Sequence, residues 1–170
     1  MGDILKNGVV YYTIVKKDTV PGESDTKSAR YLLRWMLDYL NIDCPCKIDF
    51  MEHGKPYFKG LDVCFNYSHS KNYIACAISN CDVGIDIEDA DRKISDRVSK
   101  KYLGGEKDDN KIIEKWVKKE AYSKLKGQGI SIIRNIDLDN IYDECMFIAN
   151  GRYVCCLYSS FGVFKEIKFK

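Results

Sequence analysis

The six residues Val83-Gly84-Ile85-Asp86-Ile87-Glu88 constrain this chain more than any other stretch. Apolar residues stand at alternate positions, and successive side chains of a strand point to opposite faces. Val83, Ile85 and Ile87 therefore share a face suited to a core. Gly84, Asp86 and Glu88 share the other, which sets two carboxylates side by side after a residue with no side chain. Neighbouring like charges repel, so a positive group belongs between them, or one carboxyl keeps its proton. A hard divalent cation such as Mg²⁺ answers that need, because it takes oxygen ligands and leaves places open for water or phosphate. The surroundings agree: five acids and no lysine or arginine lie between Asp82 and Asp91. The alternative is an edge strand with its carboxylates in solvent.

A helix spanning about Asn110 to Lys126 carries the second constraint. At about 100° per residue, Ile112, Ile113, Trp116, Val117 and Ala121 form one apolar arc. Glu120 and Lys124 fall inside that arc, where an ordinary amphipathic helix has apolar residues. An exposed i,i+4 pair of this kind contributes only about 0.2–0.5 kcal/mol, and an inward-facing one needs stronger compensation. A cation for Glu120 and a phosphate for Lys124 would supply it; a buried structural ion pair is the other reading.

The rest of the chain reads as mixed α and β. Gly8–Lys17 is a strand, and a helix from about Asp25 to Leu40 follows the turn at Pro21-Gly22, with Lys27, Arg30 and Arg34 along one face. Cys46–Glu52 reads as a strand and His53–Phe58 as a turn with Lys55 at its centre. Val63–Tyr67, Tyr73–Ser79 and Val83–Glu88, joined by short turns, predict an antiparallel meander. Ser95–Leu103 is a short helix. Beyond Gly127-Gln128-Gly129, the segments Ile130–Ile133, Cys145–Ala149, Arg152–Tyr158 and Phe164–Phe169 are read as strands. Ser68-His69-Ser70 is a cluster of donors for phosphate oxygens rather than a nucleophilic triad, since no Gly-x-Ser-x-Gly elbow surrounds it.

At 170 residues the chain suits one domain or two intimately packed halves. A net charge of +2 does not point to nucleic acid. The distribution is uneven, with twelve lysines and arginines against six acids between Arg92 and Lys126, a stripe that would attract an acidic partner. No stretch is long and apolar enough to span a membrane. The eight cysteines follow no leader-like segment and are read as reduced, in a cytoplasmic protein.

Four motifs together resemble the Sfp-type 4′-phosphopantetheinyl transferases. They are Gly54-Lys55-Pro56, Phe65-Asn66-Tyr67-Ser68-His69-Ser70, Val83-Gly84-Ile85-Asp86-Ile87-Glu88, and Trp116-Val117-Lys118-Lys119-Glu120-Ala121-Tyr122-Ser123-Lys124, in the family's order and at similar spacing. The resemblance implies an α+β fold of two similar halves, residues 1–81 and 82–170, related by a pseudo-twofold axis with the active site between them. It implies transfer of the phosphopantetheine arm of coenzyme A to a serine of an acidic acyl or peptidyl carrier protein, releasing adenosine 3′,5′-bisphosphate. By the motifs, Asp86, Glu88 and Glu120 hold Mg²⁺, with Mn²⁺ an alternative. Lys124 contacts the reacting phosphate, and Lys55, Pro56, Ser68 and His69 bind coenzyme A. Glu120 or Glu106 takes the serine proton. In the first helix Tyr31 stands where the family has threonine, leaving Lys27 and Arg30 as candidates for the 3′-phosphate. The metal strand begins at position 83, after a whole preceding half, which favours a monomer over the smaller trimeric relatives. Two competing expectations are another Mg²⁺-dependent phosphoester or pyrophosphate enzyme and a non-catalytic carrier-binding module.

Overall fold

The computed structural model describes residues 5–160 and 162–169. Strand β1 (Val9–Lys16) leads through a short turn of 3-10 helix to α1 (Asp25–Tyr39). Ser24 caps α1 by accepting a hydrogen bond from the Lys27 N–H at 3.3 Å. Strands β2 (Ile48–Phe50), β3 (Pro56–Phe58), β4 (Cys64–His69), β5 (Tyr73–Ser79) and β6 (Val83–Asp89) follow. Helices α2 (Asp96–Tyr102) and α3 (Asp109–Lys126) come next, then β7 (Glu144–Ala149), β8 (Tyr153–Ser159) and β9 (Val163–Glu166).

The strands form a four-stranded sheet in the order β4-β5-β1-β9, a three-stranded sheet in the order β6-β8-β7, and the small β2-β3 hairpin. All pairs are antiparallel except β1 with β9. Period-two alternation sorts the side chains into layers. Tyr11, Cys76 and Ile78 face α1 and pack with Leu32, Leu33 and Met36. Val10, Tyr12, Ala75 and Ala77 face the second sheet and pack with Val83, Ile85 and Ile87. On the far side of that sheet, Val154, Cys156 and Tyr158 meet Ile113, Val117, Ala121 and Leu125 of α3. The layering is thus α1, first sheet, second sheet, α3, a mixed α+β arrangement.

Two expectations change. The predicted meander ends at β5: β4 and β5 pair, but β6 pairs with β8 in the other sheet. The Asn80–Asp82 turn reverses the chain and also carries it into the next layer, where Val83, Ile85 and Ile87 lose all solvent contact. Full burial of each such side chain contributes about 1.5–3 kcal/mol, which outweighs one hairpin's ladder. The apolar run at Ile130–Ile133 is not a strand but part of a 3-10 helix, Gly129–Asn135. It buries Ile133 beside Trp116 and Leu103 under α3. So short an apolar run carries no period that separates strand from helix.

One contact fixes where α3 lies. Gly84 sits beneath the helix, and a Cβ there would come within 2.2 Å of the Ala121 carbonyl oxygen and 2.3 Å of the Leu125 nitrogen. The missing side chain lets the helix backbone rest directly on β6, which brings Glu120 and Lys124 down to the level of Asp86.

Candidate functional site

Strand β6 lies at the edge of its sheet, yet its carboxylate face is not solvated. Asp86 is 3% exposed and Glu88 7%, because α3 covers that face while the first sheet covers the other. The free edge of β6 is closed by a side chain: buried Asn66 on β4 accepts the Ile85 N–H at 3.1 Å. This carboxamide replaces a ladder hydrogen bond and ties the two sheets together beside the acids.

Asp86 is the centre of the cluster. Its Oδ1 accepts from Ser68 Oγ at 2.7 Å and from Lys124 Nζ at 2.6 Å, and Lys124 Nζ also donates to Ser68 Oγ at 2.8 Å. Its Oδ2 is buried with no hydrogen-bond partner among the described residues. An orphaned, buried carboxylate oxygen costs free energy that a well-made core avoids. Glu120 lies one helical turn before Lys124. Burial, and then the negative charge of Asp86, push its carboxyl above the ordinary glutamate range, with Lys124 and Arg92 pulling it back. Glu88 is ion-paired with Arg92, four residues on.

Three carboxylates therefore face two cations of the chain itself. Among the described residues, no three of His, Cys, Asp and Glu stand close enough to hold a metal ion as the side chains lie. Lys124 and Arg92 hold two of the acids instead. The donor set nevertheless suits a hard cation: the oxygens come from Asp86, Glu88 and Glu120, one buried oxygen lacks a partner, and burial and the Asp86 charge hold the Glu120 carboxyl toward its neutral form.

The remaining predicted residues divide into those at the cluster and those away from it. Ser68 is in it, its hydroxyl directed to Asp86. His69, next along β4, faces out and pairs through Nδ1 with Asp25 at 3.2 Å, while Asp25 also binds Lys17 at 2.8 Å. Burial holds the His69 imidazole below the usual histidine range, against the pull of Asp25. Lys55 has its ammonium on Asp82 at 2.6 Å and on the Leu125 carbonyl at 2.7 Å. It thereby fastens the 53–56 turn to the end of α3, beside the left-handed Gly127 that caps the helix. Two depressions flank the cluster. One of about 530 Å³ is lined by Lys17, Asp25, His69, Glu88 and Arg92. The other, about 210 Å³, is lined by Lys55, Pro56, Tyr67, Ser123 and Lys124.

Lys27, Arg30 and Glu106 are not brought to the cluster. Lys27 and Arg30 stand exposed on α1 and line neither depression, with Lys27 paired to Glu23. Glu106 binds Lys115 at 2.7 Å and the Lys107 and Asp108 N–H groups at 3.0 and 3.3 Å. The Lys115 hydrogen bond, aided by those amides, lowers its carboxyl to about 2. Lys115 precedes Glu120 by five residues, roughly 140° around the helix, so Glu106 serves the opposite face. Sequence reasoning passed over Asn66 and Arg92. The first sits inside a quoted motif, four residues before Ser70; the second is the only cation one turn's length beyond Glu88, a spacing that carries no signal outside a helix.

Lys124 and a divalent cation would compete for Asp86, which yields a prediction. Lys124→Met should bind Mg²⁺ or Mn²⁺ roughly tenfold more tightly by titration calorimetry, since a charge-assisted hydrogen bond of about 1.5–3 kcal/mol no longer opposes binding. Unchanged or weaker binding would mean that the lysine and the cation do not share that carboxylate.

No protein-family model matches the chain. Curated relatives do. The chain is 38% identical over 91 residues to the 4′-phosphopantetheinyl transferase gsp of Aneurinibacillus migulanus, a match covering 48% of this chain and 38% of the relative. It is 33% identical over 101 residues to a 4′-phosphopantetheinyl transferase of Bacillus subtilis, covering 52% and 45%. A third match, 33% over 93 residues, is to the 4′-phosphopantetheinyl transferase Sfp of Bacillus subtilis strain 168, covering 48% and 41%. Each match spans about half of this chain, and the chain covers less than half the length of each of these relatives.

Proposed function

We propose that this protein transfers the 4′-phosphopantetheine arm of coenzyme A to a serine hydroxyl of an acyl or peptidyl carrier protein, releasing adenosine 3′,5′-bisphosphate. The observation that carries the reading is the Asp86–Ser68–Lys124 cluster with its orphaned carboxylate oxygen, set between two open depressions. The relatives, which are named for this activity, support it.

Asp86, Glu88 and Glu120 would hold Mg²⁺ or Mn²⁺, and the bound ion would neutralise charge on the pyrophosphate as the transferred phosphoryl group is attacked. The chain's own residues do the rest. The Lys124 ammonium, on a partly exposed side chain, would contact a non-bridging oxygen of the reacting phosphate. Glu120, which reaches the same place from α3, would take the serine proton instead of, or in addition to, completing the metal site. Glu106, acidic and committed to Lys115, is poorly suited to that task. His69 lines the phosphate side of the cleft, with Ser68 beside it on Asp86, and Lys55 and Pro56 form the wall of the smaller depression on the coenzyme A side. In this reading residues 1–81 and 82–170 act as two similar halves meeting at the Ser68–Asp86 contact. The basic stripe along α2 and α3 receives an acidic carrier, and the protein works as a cytoplasmic monomer.

Chromatography of the nucleotide product tests this reading against the competing enzyme. Incubated with coenzyme A and Mg²⁺, the protein should release adenosine 3′,5′-bisphosphate only when an apo carrier protein is added. Release without a carrier would favour a general pyrophosphate-cleaving enzyme and overturn the proposal.

A further inference from the structure

A cavity of about 730 Å³ lies away from the carboxylate cluster. It opens against the opposite side of α3, lined by Lys100, Lys101, Lys115, Lys118, Arg134 and Cys145 among others. Cys145 is the exposed member of the cysteines, the other seven being buried or half-buried. It lies on β7, the outer strand of its sheet, opposite Tyr158, while Cys156 on β8 is opposite Phe147. The two cysteines are therefore diagonal neighbours on the face toward α3, and their Sγ atoms are 3.5 Å apart.

We propose that Cys145 is a modification site for hydroperoxides and that Cys156 converts its oxidised form into a disulfide. The proposal stands apart from the transfer reaction and uses none of its residues.

The two thiols are prepared for different parts. The hydrogen bond with Cys156, opposed by partial burial and aided by the Tyr158 hydroxyl and the Lys118 charge, lowers the Cys145 thiol to about 7. Thiolate is the nucleophile, so a lowered thiol at the surface is the one that reacts. Its hydrogen bond with Cys145, together with burial, keeps Cys156 protonated. A buried thiol cannot meet peroxide first, but it is already beside the sulfur that does.

The chemistry balances with hydrogen peroxide as the oxidant. The Cys145 thiolate attacks one peroxide oxygen, the O–O bond breaks, and the departing hydroxide takes a proton to become water. Cys145 is then a sulfenic acid, oxidised by two electrons. Cys156 sulfur attacks it, an S–S bond forms, the S–O bond breaks, and the hydroxyl leaves as water with the Cys156 proton. Two thiols and one peroxide give one disulfide and two waters. Closing the gap from 3.5 Å to a bond of about 2.05 Å requires the two side chains to rotate toward each other and the β7–β8 ladder to slide locally along this diagonal. As an outer strand paired on one side only, with Glu144, Cys145 and Ala149 exposed, β7 can make that local adjustment. The bond would form one strand from the carboxylates, since Cys156 stands opposite Asp86 in the β6–β8 register.

Intact-mass spectrometry of the full chain after mild peroxide, with peptide mapping under non-reducing conditions, tests the proposal. The protein should lose two hydrogens and show one cross-link, Cys145 to Cys156. Cys145→Ser should abolish that loss. Cys156→Ala should instead leave Cys145 as a sulfenic acid captured by dimedone; Cys156→Ser, checked for folding by circular dichroism, serves if alanine disturbs the core. Alkylation of Cys145 by iodoacetamide should rise with pH through a midpoint near 7, below the ordinary thiol value of about 8.5. Loss of two hydrogens that persists in Cys145→Ser, a cross-link confined to Cys44 and Cys46, or unmodified Cys145 beside other oxidised cysteines would overturn it.

Discussion

Gly84→Ala should destabilise the protein by roughly 3 kcal/mol and lower Tm by roughly 10 °C. Gly84 does not use the left-handed backbone region, so alanine meets no dihedral penalty there. The cost comes wholly from the new methyl group, which would stand 2.2 Å from the Ala121 oxygen, 2.3 Å from the Leu125 nitrogen and 2.9 Å from the Leu125 Cα. These are backbone atoms in the C-terminal third of an 18-residue helix, and no side-chain rotation relieves the overlap. Helix α3 must rise off β6, loosening Ile113, Val117, Ala121 and Leu125 from Val154, Cys156 and Tyr158. Glu120 and Lys124 rise with it, so any activity of the cluster should fall together with stability. Thermal unfolding followed by circular dichroism reads the first effect. A Tm within a degree or two of the parent would contradict the close approach of helix and strand.

Asp86→Asn should separate chemistry from folding in the opposite way. The side chain keeps its shape and keeps one oxygen to accept from Ser68 and Lys124, while the negative charge disappears. Lys124 loses its counter-charge but is only partly buried and can turn toward water. The carboxylate oxygen that is replaced has no partner to lose. Stability should therefore change by no more than about 1 kcal/mol. Carrier-protein modification should drop about 10³-fold or more, because a cation that neutralises phosphoryl-transfer charge contributes several kcal/mol and each 1.36 kcal/mol is tenfold. Rates at saturating Mg²⁺ and coenzyme A, measured beside Tm, give both readouts. A variant that transfers normally would remove Asp86 from the reaction; one that fails to fold would make it a structural residue.

The contrast between these two neighbours shows what one sequence makes legible. Alternation on β6 already divides Val83, Ile85 and Ile87 from Gly84, Asp86 and Glu88, and the structure puts the first set between the sheets and the second under α3. Helical spacing likewise places Glu120 and Lys124 on the packed face, because periodicity is a local property that survives any tertiary arrangement. Partnership between strands is not local. The Asn80–Asp82 turn reads as a hairpin connection, but which strand receives β6 depends on both its faces needing cover, a demand met only by β8 alongside, the first sheet on one side and α3 on the other. The parallel return of β9 to β1 is equally invisible, since an exposed four-residue strand has no pattern that names its neighbour.

In the site, residue type proves a better guide than the partner inferred for it. Ser68 reads as a phosphate donor and in the structure donates to Asp86. Lys55 reads as a ligand contact and is held by Asp82 and the end of α3. Arg92 carries no motif at all, yet occupies Glu88. A sequence shows which charges a cluster contains but not which pairs satisfy one another when no ligand is bound. That pairing follows from side-chain reach across layers, which spacing along the chain does not encode.

The most direct test is the mass of the acceptor. Apo acyl and peptidyl carrier proteins are incubated with this protein, coenzyme A and Mg²⁺, and their intact masses are read, with EDTA and Asp86→Asn as parallel arms. The account predicts the gain of one phosphopantetheine arm on a carrier serine, absent with EDTA and nearly absent with the variant. A protein that binds neither coenzyme A nor any carrier, and leaves every carrier mass unchanged, would contradict it.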